Sequence, residues 1–289
     1  MLRYIKDNIG KIKRAIKGVV QSYKKAPDIS SKLDRRQIGV SKSSRPISYY
    51  KVGSGKIKVL LLFGIHGNEV GTVKLGKHFL NYIQKHTPSL NGLTIFTVPI
   101  LNVDGYYEAL KNPDYWQGGR VGRFNTNNVD LNRNFDTKSF KRESVWSFGK
   151  NYSEKSKVFC GEEGNSELET KAVTELILRE NIDVVYSFHN SGQDVLAGST
   201  KLSKELANIF SKKTGYRPIP HEEWLILKQT GTFKEWCDDR GVSFLEIEGK
   251  TRWASDWNNQ KDAIMSSLRH LSDNKKDIHL IRLNQNSIK

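Results

Sequence analysis

At 289 residues the chain can hold one large α/β domain or two small ones, and 37% hydrophobic residues with 10% aromatics exclude wholesale disorder. The net charge of +16 is uneven, because residues 1–51 hold 14 Lys/Arg against 3 Asp/Glu and the rest hold 33 against 28, so the body is not that of a nucleic-acid binder. Cys160 and Cys237 cannot make a disulfide framework and read as buried thiols, and no apolar stretch reaches the ~18 residues of a membrane span.

Residues 2–24 carry Leu2, Ile5, Ile9, Ile12, Ile16, Val19 and Val20 at spacings of three and four, with Lys6, Lys11, Lys13, Arg14 and Lys17 on other faces. This pattern predicts a basic amphipathic helix that packs on the domain, lies on an anionic membrane surface or forms an arm. Pro27 ends it, and residues 28–45 read as a polar linker. Pro46–Val52 and Lys58–Phe63 then predict two strands of a hairpin joined through Gly53-Ser-Gly55. The second is apolar from Val59 to Phe63, which suits a strand buried on both faces. A helix over 70–86 and a strand over Leu93–Ile100 follow, and residues 106–160 show little periodicity. Helices over 166–180, 201–214, 230–240 and 259–271 alternate with strands over Ile182–Phe188 and Val242–Ile247. Residues 272–289 read as a polar tail.

Strands alternating with helices predict an α/β three-layer sandwich with a mixed, largely parallel central sheet. The organisation expected is a basic N-terminal segment (1–37), one catalytic domain (38–271) and the tail. The N-terminus lacks the compact apolar core of a signal peptide, so a cytoplasmic location is expected, with peripheral membrane contact through residues 1–25 left open. Nothing in the sequence sets the oligomeric state.

Chemistry-bearing residues gather at the predicted strand ends and in the long loop. His66 and Glu69 follow the Val59–Phe63 run. Asp130-Leu-Asn-Arg-Asn-Phe135 lies in the loop region, His189 ends the Ile182–Phe188 strand, and Glu246 and Glu248 share one face of the last strand. Two histidines and a carboxylate make a three-ligand site with an open position, the arrangement of a catalytic zinc. A further carboxylate can move a proton there, and an arginine can clamp a carboxylate or an oxyanion.

The ordered set His-x-x-Glu, Asn-x-Asp-Gly at 102–105, Val-Asp-Leu-Asn-Arg-Asn-Phe at 129–135, a strand ending in His and a strand ending in Glu resembles the M14 zinc carboxypeptidases over about residues 39–271. The segment Gly161-Glu-Glu-Gly-Asn-Ser-Glu-Leu-Glu-Thr170 looks more like the bacterial branch that includes murein peptide amidases. The resemblance implies one Zn2+ per chain held by His66, Glu69 and His189, with Asp130 orienting the first histidine. It implies that Asn132 and Arg133 grip a substrate carboxylate and that Arg123 stabilises the oxyanion, with Arg120 as the alternative. Glu248 is implied as the general acid/base, with Glu246 as the neighbour that could be confused with it. Lys234 matches the specificity-pocket position and implies an acidic or diaminopimelate-like leaving residue. The mobile tyrosine of digestive carboxypeptidases falls near Leu227 and has no counterpart. The expected activity is hydrolysis of an amide beside a free carboxylate in a peptide or murein peptide. The alternatives are an N-acyl amino acid deacylase of the aspartoacylase type and a membrane-associated binding protein with a vestigial site.

Overall fold

The computed structural model describes residues 27–86, 90–112, 119–148 and 153–274, together with positions 13, 16, 20 and 25. The expected N-terminal helix lies almost wholly outside the described residues, although Lys13, Ile16 and Val20 are helical. Residues 275–289 of the expected tail also lie outside them.

One eight-stranded sheet organises the chain. In spatial order its strands are β1 (Asp34–Val40), β2 (Pro46–Gly53), β4 (Leu93–Val98), β3 (Ile57–Phe63), β7 (Val184–Asn190), β10 (Ser243–Gly249), β8 (Asp194–Ala197) and β9 (Arg217–Pro218). The four central strands run parallel, and β2 and β8 flank them antiparallel. A separate hairpin pairs β5 (Glu143–Phe148) with β6 (Glu154–Phe159). The expected mixed, largely parallel sheet is the one observed.

Strand β3 sits in the middle because its sequence is apolar on both faces. Val59, Leu61 and Phe63 enter one core with Leu75, Phe79 and Ile83 of α1 (Val70–His86), Leu206 and Phe210 of α4 (Lys201–Thr214), and Ile264, Met265 and Leu268 of α7 (Trp257–Asp273). Leu60 and Leu62 enter the other, with Val173, Leu176 and Ile177 of α3 (Leu168–Glu180) and Phe233 and Trp236 of α6 (Phe233–Asp239). Local signals agree with these ends: Thr200 caps α4 through Ser203, Gly215 closes it at φ 74°, and Thr232 and Glu235 form a reciprocal cap on α6. Cys160 and Cys237 are buried free thiols, as the composition indicated.

Three readings of the sequence change. Segment β2 does not pair with β3: β4 lies between them, antiparallel to one and parallel to the other. The Gly53–Gly55 turn instead crosses the start of β4, where Gly55 N donates to Leu93 O at 3.1 Å and a Cβ on Gly55 would meet Gly92 backbone at 1.8 Å. The stretch read as a linker contains β1, an edge strand whose mostly exposed residues carry no apolar alternation. The stretch read as aperiodic contains most of α2 (Val103–Lys111) and the β5–β6 hairpin.

Candidate metal centre

The parallel strands deliver the site at their carboxyl ends, the usual position in open α/β sheets. Leaving β3, the chain turns at Gly64 (φ 62°) and runs through His66 and Glu69 into α1. The turn is tied down from several sides. Gly64 N donates to Thr72 Oγ1 at 3.1 Å, Thr72 Oγ1 to Glu69 O at 2.8 Å, and Asn102 N to Gly64 O at 2.8 Å. Gly67 has to be glycine because a Cβ there would lie 2.2 Å from Gly105 C and Tyr106 N, both backbone atoms.

His66, Glu69 and His189 are buried, and one ligand atom of each lies within 4.8 Å of the others. His66 Nδ1 stands 3.0 Å from Glu69 Oε1, and His189 Nδ1 stands 3.5 Å from Glu69 Oε2. The opposite ring nitrogens are held from behind: His66 Nε2 faces Asp130 Oδ1 at 3.1 Å and His189 Nε2 faces Ser187 Oγ at 3.1 Å. That arrangement aims both Nδ1 atoms at the Glu69 carboxylate, and three borderline-soft donors converging from buried positions fit one zinc ion. Glu69 stays ionised: burial alone would raise its carboxyl, but His66 and His189 outweigh burial and hold it below the usual range.

Asp130 serves two partners. Its Oδ1 faces His66 and accepts from Asn132 N at 3.1 Å, while Oδ2 accepts from Arg123 Nε at 3.2 Å and Nη2 at 2.8 Å. Burial works against the charge, yet Arg123 and His66 keep Asp130 well below the ordinary carboxylate range. Arg123 is thereby fixed with Nη1 3.4 Å from His66 Nδ1 and its guanidinium 4.3 Å from the Trp146 ring. Arg120, the alternative, is exposed and lies 4.6 Å over Phe124.

Asn132 and Arg133 form a short 3₁₀ turn beside these groups. Asn132 Oδ1 accepts from Phe233 N at 3.0 Å, and Arg133 Nε and Nη1 donate to Val145 O at 3.1 Å and Asn132 O at 2.6 Å. His66, Glu69, Arg123, Asn132, Arg133, His189, Glu246 and Glu248 line one cavity of about 810 Å³. Burial, reinforced by the negative charge of Glu69, pushes the Glu248 carboxyl up to about 8.

Lys234 is not among the residues on this wall. Its ammonium pairs with Asp238 Oδ2 at 2.7 Å, one helical turn along α6, and lies 4.4 Å from the Trp224 ring, which does line the cavity. Trp146 of the β5–β6 hairpin and Trp224 of helix α5 (His221–Ile226) also line the cavity, two positions that no motif in the sequence marks.

The cavity thus gathers two histidines, a carboxylate between them, a separate, partly buried carboxyl group and the guanidinium groups of Arg123 and Arg133. The chain belongs to the zinc carboxypeptidase family, whose profile matches residues 20–221. It is similar to carboxypeptidase O of Bos taurus, with 29% identity over 237 residues covering 72% of this chain and 61% of that protein. The chain spans about three fifths of the length of the first such relatives. In fold it resembles the murein-tripeptide amidase of Escherichia coli O157, at 23% identity and TM-score 0.61 over 86% of this chain and 94% of the other. It also resembles bovine thrombin-activatable fibrinolysis inhibitor, solved with a tick carboxypeptidase inhibitor, at 21% identity and TM-score 0.64 over 91% and 95% of the two chains.

Proposed function

We propose that this chain is a zinc-dependent amide hydrolase that releases a residue bearing a free carboxylate from a peptide or isopeptide. One observation carries the reading: three ligand-type side chains, a partly buried carboxyl outside the ligand set and the Asn132–Arg133 pair share one cavity. When bound by His66, Glu69 and His189, zinc supplies Lewis acidity that acidifies water and polarises a carbonyl.

The protein groups supply the rest. Asn132 and Arg133 take the substrate carboxylate and set the register of the scissile amide. Glu248 accepts the proton of the attacking water and returns it to the departing amine nitrogen. Its raised carboxyl suits that exchange, and a divalent cation on Glu69 would offset part of the charge that raises it. Arg123, locked by Asp130 and Trp146, offers Nη1 to the developing oxyanion at no cost of reorganisation. A murein-derived peptide is one substrate of this kind, by analogy with the amidase whose fold the chain shares. The acidic leaving residue expected from Lys234 has less support, since that ammonium is matched by Asp238. Membrane contact through residues 1–25 is supported by their amphipathic pattern and by Ile16 and Val20, which are 59% and 53% exposed.

The test is elemental analysis of wild type and His66→Ala, followed by assay of peptides against N-acyl amino acids. About one zinc per chain, lost in the variant, with peptide cleavage is expected. Zinc in neither protein, or turnover of N-acyl amino acids alone, would sink the reading.

A further inference from the structure

A second cavity, of about 430 Å³, shares no lining residue with the metal cavity. Strands β1 and β2 build one side of it. Arg35 and Tyr50 sit opposite each other in the antiparallel register, and Ser48 leaves β2 on the same face as Tyr50. Helix α1 adds Lys77, and Ile100 leads into α2, which adds Val103 and Tyr107 one turn apart. Ile29 closes a further side. Its segment is tied to α1, because Ser30 N donates to Asn81 Oδ1 at 3.0 Å and Asn81 Nδ2 donates to Asp28 O at 2.7 Å.

The charges on this wall are of one sign. Arg35, Arg45 and Lys77 line the cavity, and among the described residues no aspartate or glutamate does. Arg45 pairs with Asp104 behind the wall. Arg35 donates Nε and Nη2 only to the neutral Ser48 Oγ, at 3.2 and 3.1 Å, while neighbouring Asp34 pairs with Arg36. Lys77 makes no ion pair among the described residues. Burial lowers its pKa below the ordinary lysine value, and the charge of Asp28 only partly opposes that effect. Two carboxylates thus act on three cations, and about one positive charge is left without a counterpart inside a partly desolvated cavity. A carboxylate entering there gains charge-assisted hydrogen bonds from groups that now have neutral partners or none. The rest of the wall, including Ile29, Ile100, Val103 and the Tyr107 ring, offers apolar surface to whatever that carboxylate is attached to. The volume falls within the range of small-molecule sites.

We propose that this cavity binds a small amphipathic carboxylate, with its anionic head held by Arg35 and Lys77 and its apolar body against Ile100, Val103 and Tyr107. The site is separate from the metal cavity and does not depend on which bond that cavity hydrolyses.

Methyl NMR of the zinc-loaded wild type, titrated with sodium octanoate, reads both cavities at once. Ile29, Ile100 and Val103 report on this one, and Leu196 and Ile219 report on the metal cavity. Saturable shifts are expected at the first three. Octanol has the body without the charge and acetate the head without the body, so each should bind at least about tenfold more weakly. Lys77→Met should weaken octanoate by about tenfold and leave the zinc content unchanged. Shifts confined to Leu196 and Ile219, equal affinity for octanol and octanoate, or unchanged affinity in Lys77→Met overturns the proposal. Phosphatidylcholine vesicles carrying oleate then identify the source of the ligand. Co-sedimentation that Lys77→Met abolishes supports a membrane-held carboxylate, and octanoate binding without co-sedimentation supports a soluble one.

Discussion

His189 stands between two opposed influences. Burial alone would lower its pKa, but the charges of Glu246 and Glu69 carry it up to about 9. In the metal-free protein the imidazole is therefore protonated at neutral pH, and it must lose that proton to act as a ligand. Protons compete with zinc below that pKa, so zinc affinity should rise with pH by about tenfold per unit between about pH 6 and 8. Competition against a chelator of known affinity measures this, with proton release on binding as an independent readout. A flat profile would mean that His189 is already neutral before metal arrives.

The turn from β3 into α1 shows what an element boundary contributes. Its two ligands are separated by Gly67-Asn68, and Gly67 packs directly on the backbone of α2. Gly67→Ala should destabilise the fold by about 1–3 kcal/mol, the cost of overpacking against atoms that cannot swing aside, and weaken zinc retention with it. Thermal unfolding and metal content measured together check the prediction, and an unperturbed zinc content would separate the turn from the site. At this scale the sequence was readable wherever local pattern and burial coincide. The run from Val59 to Phe63, the helix over 70–86 and the strand ending at His189 all bury a continuous apolar set. It was unreadable where pairing or position depends on distant chain. Strand β1 is an exposed edge, β2 takes β4 as its partner, and Trp146 and Trp224 reach the cavity through the β5–β6 hairpin and α5. Lys234 and Asp238 show a different limit: their spacing along a helix announces an ion pair as plainly as a substrate contact. Glu246 and Glu248, two apart on one strand, look alike in sequence, and in the structure the bond from Asn132 to Glu246 and the nearby charge of Glu69 on Glu248 distinguish them.

For the molecule as a whole, the metal is a ligand of the folded state, since its donors are not preassembled in an unfolded chain. Zinc at about a hundred times its dissociation constant should add about 2.7 kcal/mol to the stability of the metal-free protein, seen as a rise in Tm on titration. A Tm unmoved by saturating zinc would show that the folded protein does not bind it preferentially. No helix among the described residues is long and apolar enough to cross a membrane. The parallel docking of β3 against β7 sets the timetable of this process. Glu69 Oε2 accepts from Asn190 N across 121 residues of sequence, and loop closure over such a span comes late in folding. Zinc capture is therefore a clock that strikes once the two strands have met. A chain still growing on the ribosome holds two of the three donors until its seventh strand emerges, and a cobalt colour change during refolding would time that meeting directly.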